Sequence, residues 1–243
     1  MLCFIDDCLI FSPQDFDLHL SRLESVLIRV KGANMRLKLE KCQFAYPEVN
    51  FLGHIVGRFG LKMDMKKVEK LKSLVAPTSK TSLKSFLGLA GYFRNFIPEF
   101  AEIGYPLFQL LKKKQPTNFS LNPEQLQSFQ LLVAKITEYP VLQFPDFSHP
   151  FIVETDASKR KVAAVLLQEK EGNKNLISCA SRSLSTSEAN YSIVELEALA
   201  IVWGIRYFRP YLYGTTFFLL QTMIVCSFCI PSRIPTAELS DGQ

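Results

Sequence analysis

The sequence predicts an α/β (α+β) fold, and three observations predict it. Runs such as LCFI, CLIF, VNFL and FIVE are rich in branched and aromatic residues and bounded by turn-formers, as strands are. Between them lie segments such as FDLHLSRLESVLIRV, whose apolar residues recur at three and four, as on one face of a helix. With 243 residues, 48% of them hydrophobic, the chain is long enough for one large or two modest domains with real cores.

The elements follow in order. In the opening MLCFIDDCLIFS, apolar runs on both sides of Asp6 and Asp7 predict a hairpin with the acids at its tip. Such a pair, taken alone, is a solvated turn. SPQDFDLHLSRLESVLIRVKG predicts a helix with Ser12 as N-cap, Pro13 at the first helical position and Asp15 three residues on. Phe16, Leu20, Leu23, Leu27 and Val30 form its stripe, and Gly32 stops it. In MRLKLEKCQF, Met35, Leu37 and Leu39 alternate with Arg36, Lys38 and Glu40, the pattern of a half-buried strand. VNFLGHIVGRFGLKMD predicts another hairpin, with Gly57 and Gly60 at its turn. Two basic amphipathic helices follow near 66–75 and 82–96, separated by a break at 77–79.

From Lys112 to Pro150, five prolines punctuate one helix, PEQLQSFQLLVAKI, which marks a linker or connecting domain. FIVETDASKRKVAAVLLQ then reads as a strand, a polar turn and a buried strand. KNLISCAS is a third strand, and a long helix spans roughly 190–209. The sequence holds no internal repeat and no low-complexity segment.

Charge is uneven. The chain carries +5, yet the stretch from Leu61 to Lys114 alone holds eleven Lys/Arg against four acids, a net +7. A basic block beside acid-bearing segments fits a polyanionic partner, and it also fits a solvated lysine-rich helix face. The six cysteines form no disulfide framework. Cys3, Cys8, Cys42 and Cys179 lie in apolar runs, as buried reduced cysteine does, while Cys226 and Cys229 have knuckle spacing without a second pair. No basic n-region opens the chain, so no signal peptide is expected. No charge falls between Arg209 and Arg233, but Gly214, Thr215, Thr216, Gln221, Thr222 and Ser227 interrupt that stretch. A spanning helix wants about 20 mainly apolar residues, so no membrane is expected and the setting is intracellular, cytoplasmic or nuclear.

A wheel at 100° per residue singles out one acid of the last helix. Ile193, Val194, Ala200, Ile201, Gly204, Ile205 and Phe208 all fall within about 80° of Glu197, whereas Glu195 lies about 160° away beside Arg206. A carboxylate centred on a buried stripe is costly unless compensated. A salt bridge or an outward roll of the helix is one answer. A metal is the other, and it needs a facing acid. Asp156, ending FIVETD, is available, and two such acids suit Mg²⁺, a hard cation that takes oxygen ligands and keeps waters.

The motifs FIDDCLIFS, KCQF, FLGHIV, FLGLAGYFRNFI, PVLQFPDFSHPF, TDAS, AVLLQ, NYSIVELEALAIVW and FRPYLYGTTF stand in the order found in Pol polyproteins of Ty3/gypsy-type retrotransposons. The resemblance covers about Leu2 to Phe217. It implies that FIDD is the reverse-transcriptase YxDD hairpin, with Phe4 where tyrosine is usual. Asp6 and Asp7 would then be two of the palm's metal-binding acids, serving two-metal chemistry with Mg²⁺ or Mn²⁺. FLGHIV would lie near the primer grip. The basic helices resemble the thumb, with Lys66, Lys67, Lys70, Lys84 and Arg94 tracking the phosphates of RNA, DNA or an RNA–DNA hybrid. Residues 112–150 resemble the connection, with Phe119 where the family often has tryptophan. The last unit resembles retroelement RNase H, in which Asp156 and Glu197 would be the first two of four acids.

Departures accompany the likeness. The family's fingers and the strand carrying the remaining palm aspartate would lie upstream of Met1. Where the family reads TDH, this chain has LLQTMIVC, with Thr222 in place of the third acid and no aspartate between Asp156 and Asp241. The expected organisation is therefore the C-terminal part of a palm (1–64), a thumb (65–114), a connection (115–150), the N-terminal part of an RNase H-like domain (151–220) and a divergent tail (221–243). The expected function is that of a fragment of an RNA-directed DNA polymerase and ribonuclease H, inactive as an isolated chain. Its partners would be nucleic acid and the protease and integrase segments of a parent polyprotein. The alternative is a co-opted, non-catalytic nucleic-acid-binding protein, with a membrane-tethered remnant through 210–232 a distant third.

Overall fold

The structure, a computed structural model, describes residues 1–12, 15–58, 60–113, 115–138 and 141–221. Contacts divide the chain into two compact units, Met1–Arg58 and Phe59–Gln243.

In the first unit, β1 (Leu2–Phe4) and β2 (Asp7–Leu9) pair antiparallel with Phe4 opposite Asp7. The expected hairpin is present, with its tip one residue earlier than expected: Ile5 and Asp6 turn the chain, and Asp7 opens β2. Ile5 takes a left-handed φ of 54°, an outlier for a β-branched residue. Helix α1 (Phe16–Gly32) is capped by Asp15, whose Oδ1 accepts from the Leu18 N–H at 3.1 Å. The expected cap, Ser12, is instead held by Arg22, which donates to Phe11 O at 2.9 Å and to Ser12 Oγ at 3.4 Å; Pro13 lies outside the described residues.

The alternating stretch from Met35 forms no strand, and its only regular piece is a single 3₁₀ turn, Leu39–Lys41. Alternation alone does not make a strand, because the pattern also needs a neighbouring strand and something to cover its apolar face. Met35, Leu37 and Leu39 are exposed. Strands β3 (Glu48–Phe51) and β4 (His54–Gly57) form an antiparallel hairpin closed by Leu52 and Gly53. Both closing residues have positive φ, 50° and 75°, the conformation that a tight two-residue turn requires. This turn is additional to the expected one: β4 ends at Gly57 and the next strand begins at Gly60, the two glycines expected to flank a turn. None of the described residues of this unit is buried.

The second unit holds two apolar clusters. Strand β5 (Gly60–Met63) bridges Leu61 to Leu142 by two backbone bonds of 2.7 and 3.0 Å. Helices α2 (Met65–Lys72), α3 (Lys80–Tyr92), α4 (Phe100–Leu110) and α5 (Pro123–Thr137) surround a core that includes Val68, Leu71, Leu83, Phe86, Phe93, Leu107, Leu132 and Ile136. Three of the four starts have a local cause. Asp64 caps α2, while Ser79 with Ser82 and Asn122 with Gln125 form capping boxes on α3 and α5.

The second cluster belongs to a sheet ordered β8-β7-β6-β9. Strands β6 (Phe151–Ala157), β7 (Lys161–Lys170) and β8 (Asn173–Ser183) run antiparallel in sequence, and β9 (Phe217–Gln221) lies parallel to β6. Before β9 come α6 (Ile193–Tyr207) and the short α7 (Arg209–Leu212). Phe151 and Val153 of β6, Ala164 and Leu166 of β7, and Phe208, Leu212 and Phe217 form this core. α6 approaches closely because Gly204 has no side chain: a Cβ there would meet the Ala164 Cβ at 2.9 Å and the Thr155 Cγ2 at 3.4 Å.

Among the described residues no helix is long and apolar enough to cross a membrane. Residues 222–232 of the uncharged stretch, with Cys226 and Cys229, lie outside them. Of the four described cysteines only Cys179 is buried, and burial pushes its thiol up to about 12; Cys3 and Cys8, expected to be buried, are exposed. Their place on a short two-stranded hairpin, with no cover over it, leaves them open to water.

Candidate functional site

Helix α6 sets the geometry of the candidate site. Ser192 caps it, its hydroxyl accepting from the Glu195 N–H at 3.3 Å while Glu195 Oε2 accepts from the Ser192 N–H at 2.7 Å. Glu195 is thus occupied at the helix start and exposed to solvent. Glu197 is only 7% exposed, on the sheet side where the wheel places it. Ile193 and Val194, assigned to the same stripe, are instead 50% and 77% exposed, so the stripe is buried only from the second turn on.

What compensates the buried carboxylate is an amide. Gln221 Nε2, at the end of β9, donates to Glu197 Oε2 at 3.0 Å. In the parallel β6–β9 register Gln221 stands opposite Thr155, the residue before Asp156. Glu197 is therefore anchored beside the strand end that carries Asp156.

Asp156 has its own partner, a cation from the chain itself. Lys161 Nζ donates to Asp156 Oδ2 at 2.7 Å and also to Glu99 Oε1. The Lys161 side chain is 4% exposed, against 35% for Asp156 and 54% for Glu99. Burial alone would lower the Lys161 pKa, but the hydrogen bonds to Asp156 and Glu99 outweigh it and raise the pKa above the usual value, so the ammonium stays charged. Nearby, Ser158 Oγ donates to Glu102 Oε2 at 3.3 Å, and the Arg160 guanidinium lies 5.1 Å from the centre of the Tyr105 ring. Neither Lys161 nor Glu99 stood out in the sequence. Lys161 opens an apolar run, a common place for a solvated lysine, and Glu99 is 62 residues from it in sequence.

These groups do not fit a two-cation site. Among the described residues no three His, Cys, Asp or Glu side chains are grouped so that they could hold a metal ion. Asp6 and Asp7 are exposed on their hairpin, Asp156 is bound to an ammonium, and Glu197 to an amide. Thr222 lies outside the described residues.

The basic residues occupy α2, α3 and the turn after α3. Lys66 and Lys70 are exposed one turn apart on α2, and Lys84 is exposed on α3. Lys67 lies over the Tyr92 ring, its Nζ 4.4 Å from the centre, so its stem is held against α3. Arg94 Nη2 donates to Tyr207 Oη at 3.5 Å, a long bond that leaves most of the guanidinium's donors unused. Lys80 counts toward the basic block but not toward a phosphate surface, since its Nζ donates to the carbonyls of Lys112 and Gln115 at 2.9 and 2.7 Å.

Residues 1–56 match the family described as reverse transcriptase (RNA-dependent DNA polymerase), and residues 121–219 match that described as the RNase H-like domain found in reverse transcriptase. The Pol polyprotein of Drosophila melanogaster transposon 297 is 42% identical over 216 residues, covering 89% of this chain and 20% of that protein. That of Drosophila melanogaster transposon gypsy is 38% identical over 224 residues, covering 87% and 21%, and the Schizosaccharomyces pombe transposon Tf2-3 polyprotein is 32% identical over 216, covering 88% and 16%. The chain spans about a fifth of the length of these curated relatives. Among solved structures, the foamy viral protease-reverse transcriptase in complex with double-stranded DNA superposes with a TM-score of 0.76 at 23% identity, over 88% of this chain and 38% of that one. The same viral protein in complex with an RNA/DNA hybrid gives 0.75 at 23%, over 89% and 29%. At that identity the likeness is one of fold, and it bears out the α/β class expected from the sequence. The chain is a homologue of the reverse-transcriptase and RNase H-like region of Ty3/gypsy-type retrotransposon Pol polyproteins.

Proposed function

We propose that the chain is the segment of a retrotransposon RNA-directed DNA polymerase and ribonuclease H that holds RNA, DNA or their hybrid, inside the cell, as part of a larger polyprotein with protease and integrase segments. The observation that carries this reading is the order of the parts: both family matches occur in one chain, and the basic helices α2 and α3 lie between them. In the parent enzyme Asp6, Asp7, Asp156 and Glu197 are the proposed acidic residues, and Mg²⁺ or Mn²⁺ supplies the charge that phosphodiester chemistry requires. Among the described residues these four carboxylates belong to no metal-holding group, and the part proposed for this chain is binding. Lys66, Lys67, Lys70, Lys84 and Arg94 contact phosphates, and such contacts carry no base preference. A second reading, a non-catalytic nucleic-acid-binding protein, is favoured by the pairing of Asp156 with Lys161.

The test is fluorescence anisotropy of labelled hybrid and duplex across a salt series. Each phosphate contact adds roughly 0.9 to the slope of log affinity against log salt. The expected slope is several units, falling by about one for each of Lys66, Lys67 and Lys70 changed to alanine. A flat salt response, or no weakening in the triple variant, removes the assignment.

A further inference from the structure

We propose that Lys161 is an internal cation for the Asp156 carboxylate, forming with Glu99 an ion triad that excludes a divalent metal from this strand end unless the lysine is displaced. The inference rests on the reading of Asp156 as one of the RNase H-like acids. It goes beyond that reading by assigning a role to two residues that the reading leaves unused.

Three observations carry it. The first is burial: an ammonium with a side chain only 4% exposed is stable in such a place when carboxylates surround it, and Lys161 has two. The second is register. Asp156 stands opposite Ala163 in the β6–β7 pairing, so Lys161, two residues earlier on β7, is its diagonal neighbour on the same sheet face. A diagonal of about 7–8 Å is within reach of a long side chain, so the contact follows from the backbone and needs no special rotamer. The third is the origin of Glu99. It is the N-cap residue of α4, in the left-handed conformation at φ 58°, and its side chain makes no capping bond. Its carboxylate is committed to Lys161, which ties the start of α4 to the β6–β7 hairpin. Ser181 Oγ, accepting from the Ala101 N–H at 3.0 Å, ties the same turn of α4 to β8.

The consequence concerns affinity. Mg²⁺ and Mn²⁺ seek free carboxylate oxygens, and Asp156 Oδ2 and Glu99 Oε1 already accept from an ammonium. A metal arriving here meets a fixed positive charge and must expel it from a buried position. The Lys161 contact and a metal at Asp156 therefore oppose each other, and the coupling is reciprocal.

The experiment uses the full chain without nucleic acid, so failure of the binding reading leaves its outcome unaffected. Free Mn²⁺ is followed by electron paramagnetic resonance for the wild type, Lys161→Met, and Lys161→Met with Asp156→Asn. The expected result is Mn²⁺ binding at least about tenfold tighter in Lys161→Met, with the gain lost in the double variant. An unchanged Mn²⁺ affinity in a Lys161→Met chain whose circular dichroism is that of the wild type overturns the proposal. Should that variant not fold, the wild type is read by itself through nitrogen-detected NMR of its lysine ammonium groups. A slowly exchanging, buried ammonium signal that persists in millimolar Mg²⁺ supports the triad. Absence of any such signal at neutral pH, or its loss on adding Mg²⁺, overturns it.

Discussion

Arg182 on β8 holds Glu188 in a two-pronged grip, Nη1 to Oε2 and Nη2 to Oε1, both at 2.8 Å. The Ser185 N–H donates to the same carboxylate at 2.8 Å, and the guanidinium lies 5.7 Å from the centre of the Trp203 ring on α6. Arg182 first, then the Ser185 N–H, pull the Glu188 pKa from its ordinary 4.5 down to about 2. A carboxylate depressed in the folded state stabilises the fold above its unfolded pKa and loses that contribution as pH falls through its folded pKa. Glu188→Gln is therefore expected to lower stability by about 1 kcal/mol at pH 7, the scale of a well-aligned bidentate pair. The gap between variant and wild type should close between about pH 4.5 and 2. Urea denaturation at several pH values reads it, and a gap that stays constant across that window would show the pair to be electrostatically idle. At this scale the sequence was partly legible. Glu197 could be placed because helical periodicity is a local rule, and one wheel separates it from Glu195. Lys161 could not, since its burial depends on Glu99, which joins it only through the packing of α4 on the sheet.

Among the elements, legibility followed whether a signal was local or required a neighbour. Helices α2, α3, α5 and α6 were recoverable because break, cap and period all lie within one stretch of chain, as with Ser79 and Ser82 before α3; α4 was missed, since Glu99 before it makes no capping bond and Pro106 interrupts its pattern. The start of α1 was misplaced because Ser12 and Asp15 are both competent caps, and the tether from Arg22 decides between them. The alternating run from Met35 misled for the reason already given: a strand is a property of a pair. Helix α6 allows the sharpest test of element-level causes. Removing its cap by Ser192→Ala should cost about 1 kcal/mol, or roughly 2–4 °C in melting temperature for a chain of this size. Filling its contact face by Gly204→Leu should cost about 2 kcal/mol or more, although leucine is the better helix former. The reason is that the added side chain must displace Ala164 and Thr155, which β-sheet backbone holds in place. Thermal denaturation ranks the two, and a Gly204→Leu chain as stable as the wild type would mean that α6 does not lie against the sheet as described.

For the whole molecule, the ordered motifs from FIDD to GTTF made the family legible, because each is a short local string and their order survives the loss of any one. Burial was not legible in the same way. The apolar stripe of α1 is well formed in the sequence, yet Phe16, Leu20 and Leu27 are exposed, and the unit that holds Asp6 and Asp7 buries none of its described residues. That contrast bears directly on turnover. Two-cation catalysis places its metals about 3.5–4 Å apart and needs several ligands on each, so that attacking and leaving oxygens are stabilised together. Asp6 and Asp7 have no third acid grouped with them among the described residues, and the partners of Asp156 and Glu197 are Lys161 and Gln221. Mg²⁺ dehydrates reluctantly, so a half-site of this kind binds it weakly and mostly through its waters. This chain by itself is therefore expected neither to extend a primer nor to cleave RNA in a hybrid, with Mg²⁺ or with Mn²⁺, while still binding both nucleic acids in a salt-dependent manner. The assay is the purified chain with a primed template and, separately, a labelled hybrid. Metal-dependent extension lost in Asp6→Asn, or cleavage lost in Asp156→Asn, would mean that acids from elsewhere complete the ligand set, and that Lys161 yields Asp156 to the cation when they do.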